Sequence, residues 1–198
     1  MISYESPFGD RMEITMKKLV LLGDSIRLIG YGTRLAELCS DEYEVWQPED
    51  NCRWADYTYR MLSDHADKIE GADVIHWNNG HWDICDLFGD GSFTSVENYI
   101  KAMTRVAKRL LSITPNVIFS TTTPVTPRLT YENNERIKAY NAAIAPALSE
   151  LGVVVNDLYS FVEPHIDEYF KDDNIHLNEC GSEACANQIH AFIKKTFG

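Results

Sequence analysis

The residues of this chain best suited to chemistry lie near its two ends. Toward the front, the apolar run Leu19-Val20-Leu21-Leu22 is cut off by Gly23-Asp24-Ser25. Toward the back, Asp173-Asn174-Ile175-His176 precedes the last helical pattern. A serine hydroxyl is a poor nucleophile until a base removes its proton. Imidazole suits that task because it titrates near neutrality. It needs a carboxylate on Nδ1 so that Nε2 faces the serine. An aspartate three residues before a histidine can share one side of a turn with it, so Asp173 can hold His176 without help from another strand. Each piece also has a plainer reading. Asp24 and Ser25 suit a turn or a helix cap, and residues 173–176 suit a solvated loop. The combination is far more specific than either piece: one follows the first strand directly, and the other directly precedes the last helix.

Joining positions 25 and 176 is the work of the elements between them. Short apolar runs ended by turn residues read as strands, here residues 19–22, 43–47, 73–78, 116–120 and 153–155. Patterns with the three-four rhythm read as helices, at 33–40, 55–69, 94–113, 132–151 and 179–197. A loop containing Gly30 and Gly32 is expected after Ser25, an aromatic loop over 79–93, and mixed, partly helical structure over 158–170. Gly152 is the expected stop of its helix. Such alternation predicts a three-layer α/β/α domain around a five-stranded parallel sheet in the flavodoxin-like order 2-1-3-4-5. Ligands of such sheets sit beyond the carboxyl ends of the strands. That rim collects Asp24-Ser25, Asn51, Asn78-Asn79, Thr121-Thr122 and Asp157.

The 198 residues suit a single domain with a full core, spanning 17–198, with 1–16 as an N-terminal extension. Hydrophobic residues make up 44% and charged residues 24%, an ordinary balance for a globular protein. A formal charge of −12 argues against nucleic acid and anionic membrane surfaces as partners. No apolar run is long enough to span a membrane. The apolar stretch after Met16-Lys17-Lys18 is too short for a secretion signal and ends at once in Gly23-Asp24. The cysteines, five in number and without a CxxC, fit reduced thiols in a cytoplasmic protein better than a zinc cage or a disulfide framework. His76, His81, Asp83 and Asp86 are metal-capable types without a known ligand spacing. No metal and no cofactor is assigned.

On Gly23-Asp24-Ser25, on Asp173-Asn174-Ile175-His176-Leu177, and on the alternation that covers nearly the whole chain, the sequence resembles the SGNH (GDSL) hydrolases. That resemblance implies an α/β/α fold and an esterase, acetylesterase, lipase or thioesterase activity. It implies Ser25 as nucleophile, His176 as base and Asp173 as its orienter. It also implies an oxyanion hole built from the serine N–H, a glycine N–H after the second strand and an asparagine side chain after the third. Two of these elements depart from the pattern. Asn51-Cys52-Arg53-Trp54 contains no glycine, which leaves the backbone N–H of Cys52 or Arg53 as donor. The usual GxND is replaced by Trp77-Asn78-Asn79-Gly80-His81-Trp82-Asp83, which is similar to a subgroup with an aromatic-Asn-x-Gly pattern. Asn78 is the first choice of side-chain donor and Asn79 the second.

Asp24, Arg27, Asn79, Gly80 and Trp82 are candidates for substrate contact, Arg27 as an anchor for a polar or anionic group. Aromatic residues near the strand ends suit stacking on a sugar or lining an acyl pocket. The preferred substrate is a small-molecule ester of a small acyl group, acetyl above all, on a sugar or similar carrier. A thioesterase or short-chain lipase of the same fold is the alternative, as is a non-catalytic sugar-binding relative. A cradle for FMN or a sugar phosphate over 24–33 fits less well. The P-loop pattern is missing there, and residues 173–176 would be left without a role.

Overall fold

The computed structural model describes residues 16–198. Apart from Met16, the expected N-terminal extension lies outside the described residues. The strands are β1 (Lys17–Leu22), β2 (Tyr43–Trp46), β3 (Val74–Trp77), β4 (Val117–Ser120) and β5 (Val154–Asn156). All pair in parallel, in the order β2-β1-β3-β4-β5. This is the predicted order, and it puts β1 and β3 at the centre, where polar strand ends meet.

Alternation along each strand divides the core in two. Val20 and Leu22 of β1, with Ile75, Trp77, Val117 and Phe119, pack against α2 (Ala55–Asp64), α5 (Val96–Leu111) and α6 (Asn134–Glu150). Leu19 and Leu21, with Val74 and Ile118, pack on the other face against α1 (Gly32–Cys39) and α9 (Glu179–Phe197). Leu19 to Leu22 are essentially inaccessible, and each such side chain contributes roughly 1.5–3 kcal/mol of burial free energy. β1 is apolar on consecutive positions because both of its faces are covered.

Helix ends follow the local chemistry. Ser95 caps α5, Asn133 caps α6 and Asn178 caps α9, each accepting a backbone N–H with its side chain. Gly152, at φ 97°, terminates α6 as expected. The predicted helix over 55–69 is two pieces, α2 and α3 (Ala66–Ile69), divided at His65 (φ −115°, ψ 25°). The aromatic loop contains one helical turn, α4 (His81–Ile84). Two further turns, α7 (Leu158–Val162) and α8 (Ile166–Tyr169), lie between β5 and α9.

The expected loop after Ser25 is instead helical. The chain is helical from Ser25, widens to a π-turn over Arg27–Tyr31 and bends at Gly30 (φ −114°, ψ −111°) before α1. Gly30 acts as a kink rather than a stop. Among the described residues, no helix is long and apolar enough to cross a membrane.

Candidate active site

Three steps turn the sequence around Ser25 into a presented hydroxyl. β1 ends at Leu22, and at the next residue, Gly23, a Cβ would overlap the Asn78 side-chain oxygen and crowd Arg27. Asp24 then caps the following helix: its carbonyl accepts from Leu28 N–H at 3.0 Å and its Oδ1 from Ile26 N–H at 3.0 Å. Ser25 becomes the first helical residue, partly exposed. The N–H at that position has no intrahelical acceptor and lies at the positive end of the peptide dipoles. The cap and the chemistry read separately from the sequence are therefore one arrangement, since capping by Asp24 sets Ser25 in place.

The other half comes from the loop before α9. Asn174 adopts φ 71°, a conformation asparagine tolerates. The loop folds back so that Asp173 Oδ1 accepts the N–H groups of Ile175 and His176 at 3.2 and 2.9 Å. Thr126, in the loop after β4, anchors it by bonding the Asn174 carbonyl and side chain at 3.0 and 2.6 Å. His176 Nδ1 lies 2.8 Å from Asp173 Oδ2, and its Nε2 lies 2.8 Å from Ser25 Oγ. Burial pushes the Asp173 carboxyl up, but the bonds from the His176 N–H and imidazole and from the Ile175 N–H outweigh it and hold the group below its ordinary range.

Ser25 and His176 open into a cavity of about 460 Å³. Leu28, Ile29, Trp82, Cys85, Leu87 and Ile175 form its apolar wall, and Asn51, His81, Tyr131 and Glu132 its polar parts. Beside the mouth, Trp54 lies 6.4 Å from Trp82 and 5.6 Å from Phe93 between ring centroids. Of the proposed substrate contacts, Trp82 is the one in the wall.

The others have interior work. Arg27 is 1% exposed; its guanidinium donates to the carbonyls of Pro48, Gly23 and Asp50 at 2.8, 3.2 and 2.8 Å. It ties the loop after β2 to the serine turn and is not available to anchor substrate. Asp24 is fully buried as the cap, and its Oδ1 also accepts from Asn78 Nδ2 at 2.8 Å. Asn79 donates to the Arg53 carbonyl and accepts from Thr58 and Trp77, so its amide is engaged on both sides. Gly80 packs against Thr122 and lies outside the cavity wall.

The backbone donors expected after β2 also need correction. The Cys52 N–H bonds the Gly23 carbonyl at 3.1 Å, and the Arg53 N–H bonds Asn51 Oδ1 at 2.7 Å. Cys52 braces the serine turn a second time, its Sγ accepting from the Gly23 N–H at 3.2 Å. Neither N–H is left for an oxyanion. The neighbour that does line the cavity is Asn51. Its Oδ1 is fixed by the Arg53 N–H, and its Nδ2 has no partner among the described residues. The sequence marks Asn51 as a rim residue and not as a donor. Asn78 is 4% exposed; its Oδ1 accepts from Tyr31 Oη at 2.7 Å, and one hydrogen of Nδ2 goes to Asp24. One amide hydrogen remains beside the serine turn.

No protein-family model matches the sequence, and no curated protein matches it. Solved structures do. A lipase/acylhydrolase from Enterococcus faecalis superposes with a TM-score of 0.75 at 23% identity, over 91% of this chain and 96% of that one. An acetyl xylan esterase gives 0.74 at 20%, over 89% and 99%. A GDSL-like lipase from Bacteroides thetaiotaomicron gives 0.70 at 16%, over 91% and 89%. The fold of this chain is thus the three-layer fold of GDSL-like lipases and esterases.

Proposed function

We propose that this protein is a serine ester hydrolase of the SGNH type. The observation that carries the reading is the continuous line from Ser25 Oγ through His176 to Asp173, with both links at 2.8 Å, at the mouth of a cavity. In the proposed reaction His176 Nε2 takes the hydroxyl proton as Ser25 Oγ attacks the ester carbonyl. Asp173 stabilises the imidazolium that forms. The Ser25 N–H and Asn51 Nδ2, with the remaining Asn78 amide hydrogen, receive the developing oxyanion. His176 returns the proton to the leaving alcohol, and water releases the acyl group by the same steps in reverse.

The cavity wall favours an ester with an apolar group of moderate size over a bare acetyl group. The acetylated-sugar reading keeps separate support in the Trp54, Trp82 and Phe93 cluster at the mouth, and in the likeness to an acetyl xylan esterase. A p-nitrophenyl ester series from acetate to medium chain length distinguishes the two by where kcat/KM peaks. The same assay, run on wild type and Ser25→Ala, tests the reaction itself: wild type turns over and the variant stays at background. A wild type no faster than the variant ends the proposal.

A further inference from the structure

The cavity contains a polar feature that the proposed reaction does not use. His81 and Glu132 face each other in its wall, with His81 Nδ1 2.8 Å from Glu132 Oε2 and side chains 3% and 1% exposed. His81 Nε2 lies 3.1 Å from Thr123 Oγ1. Burial pulls the His81 imidazole down, but Glu132 and then Asp24 outweigh it and raise it above its ordinary value. The ring thus spans a carboxylate on one side and a hydroxyl on the other.

The second carboxylate oxygen is not accounted for. Glu132 Oε1 is buried and, among the described residues, has no hydrogen-bond partner. Five buried side-chain atoms among the described residues are in that position, and Glu132 Oε1 is the one belonging to a residue of the cavity wall. A buried acceptor without a donor is costly and requires an explanation. His81 already holds the other carboxylate oxygen at 2.8 Å, so a small neutral donor completes the site without a second buried cation, whose desolvation is costly.

We infer that Glu132, held by His81, is a specificity residue that receives a hydroxyl group carried by the part of the substrate seated in the cavity. The substrate class is then an ester with an apolar body and a hydroxyl at its buried end. This rests on the esterase reading above and adds a selectivity to it.

The test uses purified protein and matched esters. One set is the p-nitrophenyl esters of a medium-chain acid, its ω-hydroxy form and its ω-methoxy form. The mirror set is the acetates of the corresponding alkanol, diol and methoxy-alkanol. In at least one set the hydroxyl compound is favoured over the plain ester by about tenfold to a hundredfold in kcat/KM, the range of one hydrogen bond to a charged group. The methoxy compound, an acceptor only, gains nothing. Glu132→Gln keeps an oxygen for His81 and presents an NH₂ in place of the free oxygen, so the preference shifts toward the methoxy ester. A role confined to holding the fold would not produce that exchange. If Glu132→Gln fails to fold, the wild-type comparison decides alone. Cleavage of plain esters with no hydroxyl preference in either set overturns the inference and leaves the esterase intact. An unaltered preference in a folded Glu132→Gln also overturns it. Failure to cleave any ester removes both.

Discussion

Two hydroxyl–imidazole–carboxylate lines meet at one cavity, each through its imidazole. Ser25, His176 and Asp173 form the first, and Thr123, His81 and Glu132 the second, with the same 2.8 Å between ring and carboxylate. Their exposure separates them: the His176 and Asp173 side chains are 24% and 46% accessible, against 3% and 1% for His81 and Glu132. Ser25 also starts a helix and has an N–H free beside its Oγ, whereas Thr123 is buried in the loop after β4 and lies outside the cavity wall. Connectivity alone therefore does not make a nucleophile. Access for an ester carbonyl and donors for its oxyanion do. The open line is suited to moving protons and the closed line to holding shape and charge.

The comparison breaks most visibly at the hydroxyl. Ser25→Ala should lower kcat by about 10⁴–10⁶-fold, as loss of a nucleophile does, with thermal unfolding little changed. The two carboxylates should then divide rate from stability. Asp173→Asn is expected to cost about 10⁴-fold in kcat, because the imidazole loses its orientation, but about 1 kcal/mol or less in urea unfolding, since the pair is solvated. Glu132→Ala strands a buried imidazole and should cost about 3–5 kcal/mol in the same unfolding assay. Equal stability losses in the two variants would erase the distinction. Next in size, Asn51→Ala should slow turnover by about 10²–10³-fold, the usual loss for one oxyanion donor. Steady-state kinetics that leave kcat unchanged would move the role to Asn78.

The smallest effect concerns pH, and it belongs to the closed side. Burial pushes the Asp83 carboxyl, beside the α2 N-terminus, up to about 7 from an ordinary 3.8. A group whose folded value is raised holds its proton more tightly when folded. Its contribution is thus fully present below the ordinary value and lost as pH rises through about 7. His81, also raised, acts in the same sense. Wild-type Tm should fall between mildly acidic and mildly alkaline pH, and Asp83→Asn should flatten that fall. An equally steep fall in the variant would assign it elsewhere.

The open line was legible in the sequence because its parts are local. Asp173 and His176 are three residues apart, Asp24 and Ser25 are adjacent, and the strand–helix alternation fixes which ends meet. The closed line was not. His81 and Glu132 have no spacing that links them; His81 alone reads as a metal-capable loop residue without ligand spacing, and Glu132 as the start of a helix. The same limit explains Arg27 and Cys52. A polar side chain following a proposed nucleophile looks like a substrate contact until the loop after β2 is seen wrapped around it. Gly30 misled in another way, because a glycine bends a helix as readily as it ends one. Asn51 stood on the predicted rim, but only the turn that engages the Cys52 and Arg53 N–H groups makes it the available donor.

The most direct test of Ser25 as the activated hydroxyl is covalent. Treat the intact protein with a fluorophosphonate and locate the adduct by peptide mass spectrometry. The structure predicts one phosphonyl group per chain, on Ser25, forming at a rate that collapses in His176→Ala. A protein that stays unmodified, or carries the group on another residue, would contradict the account.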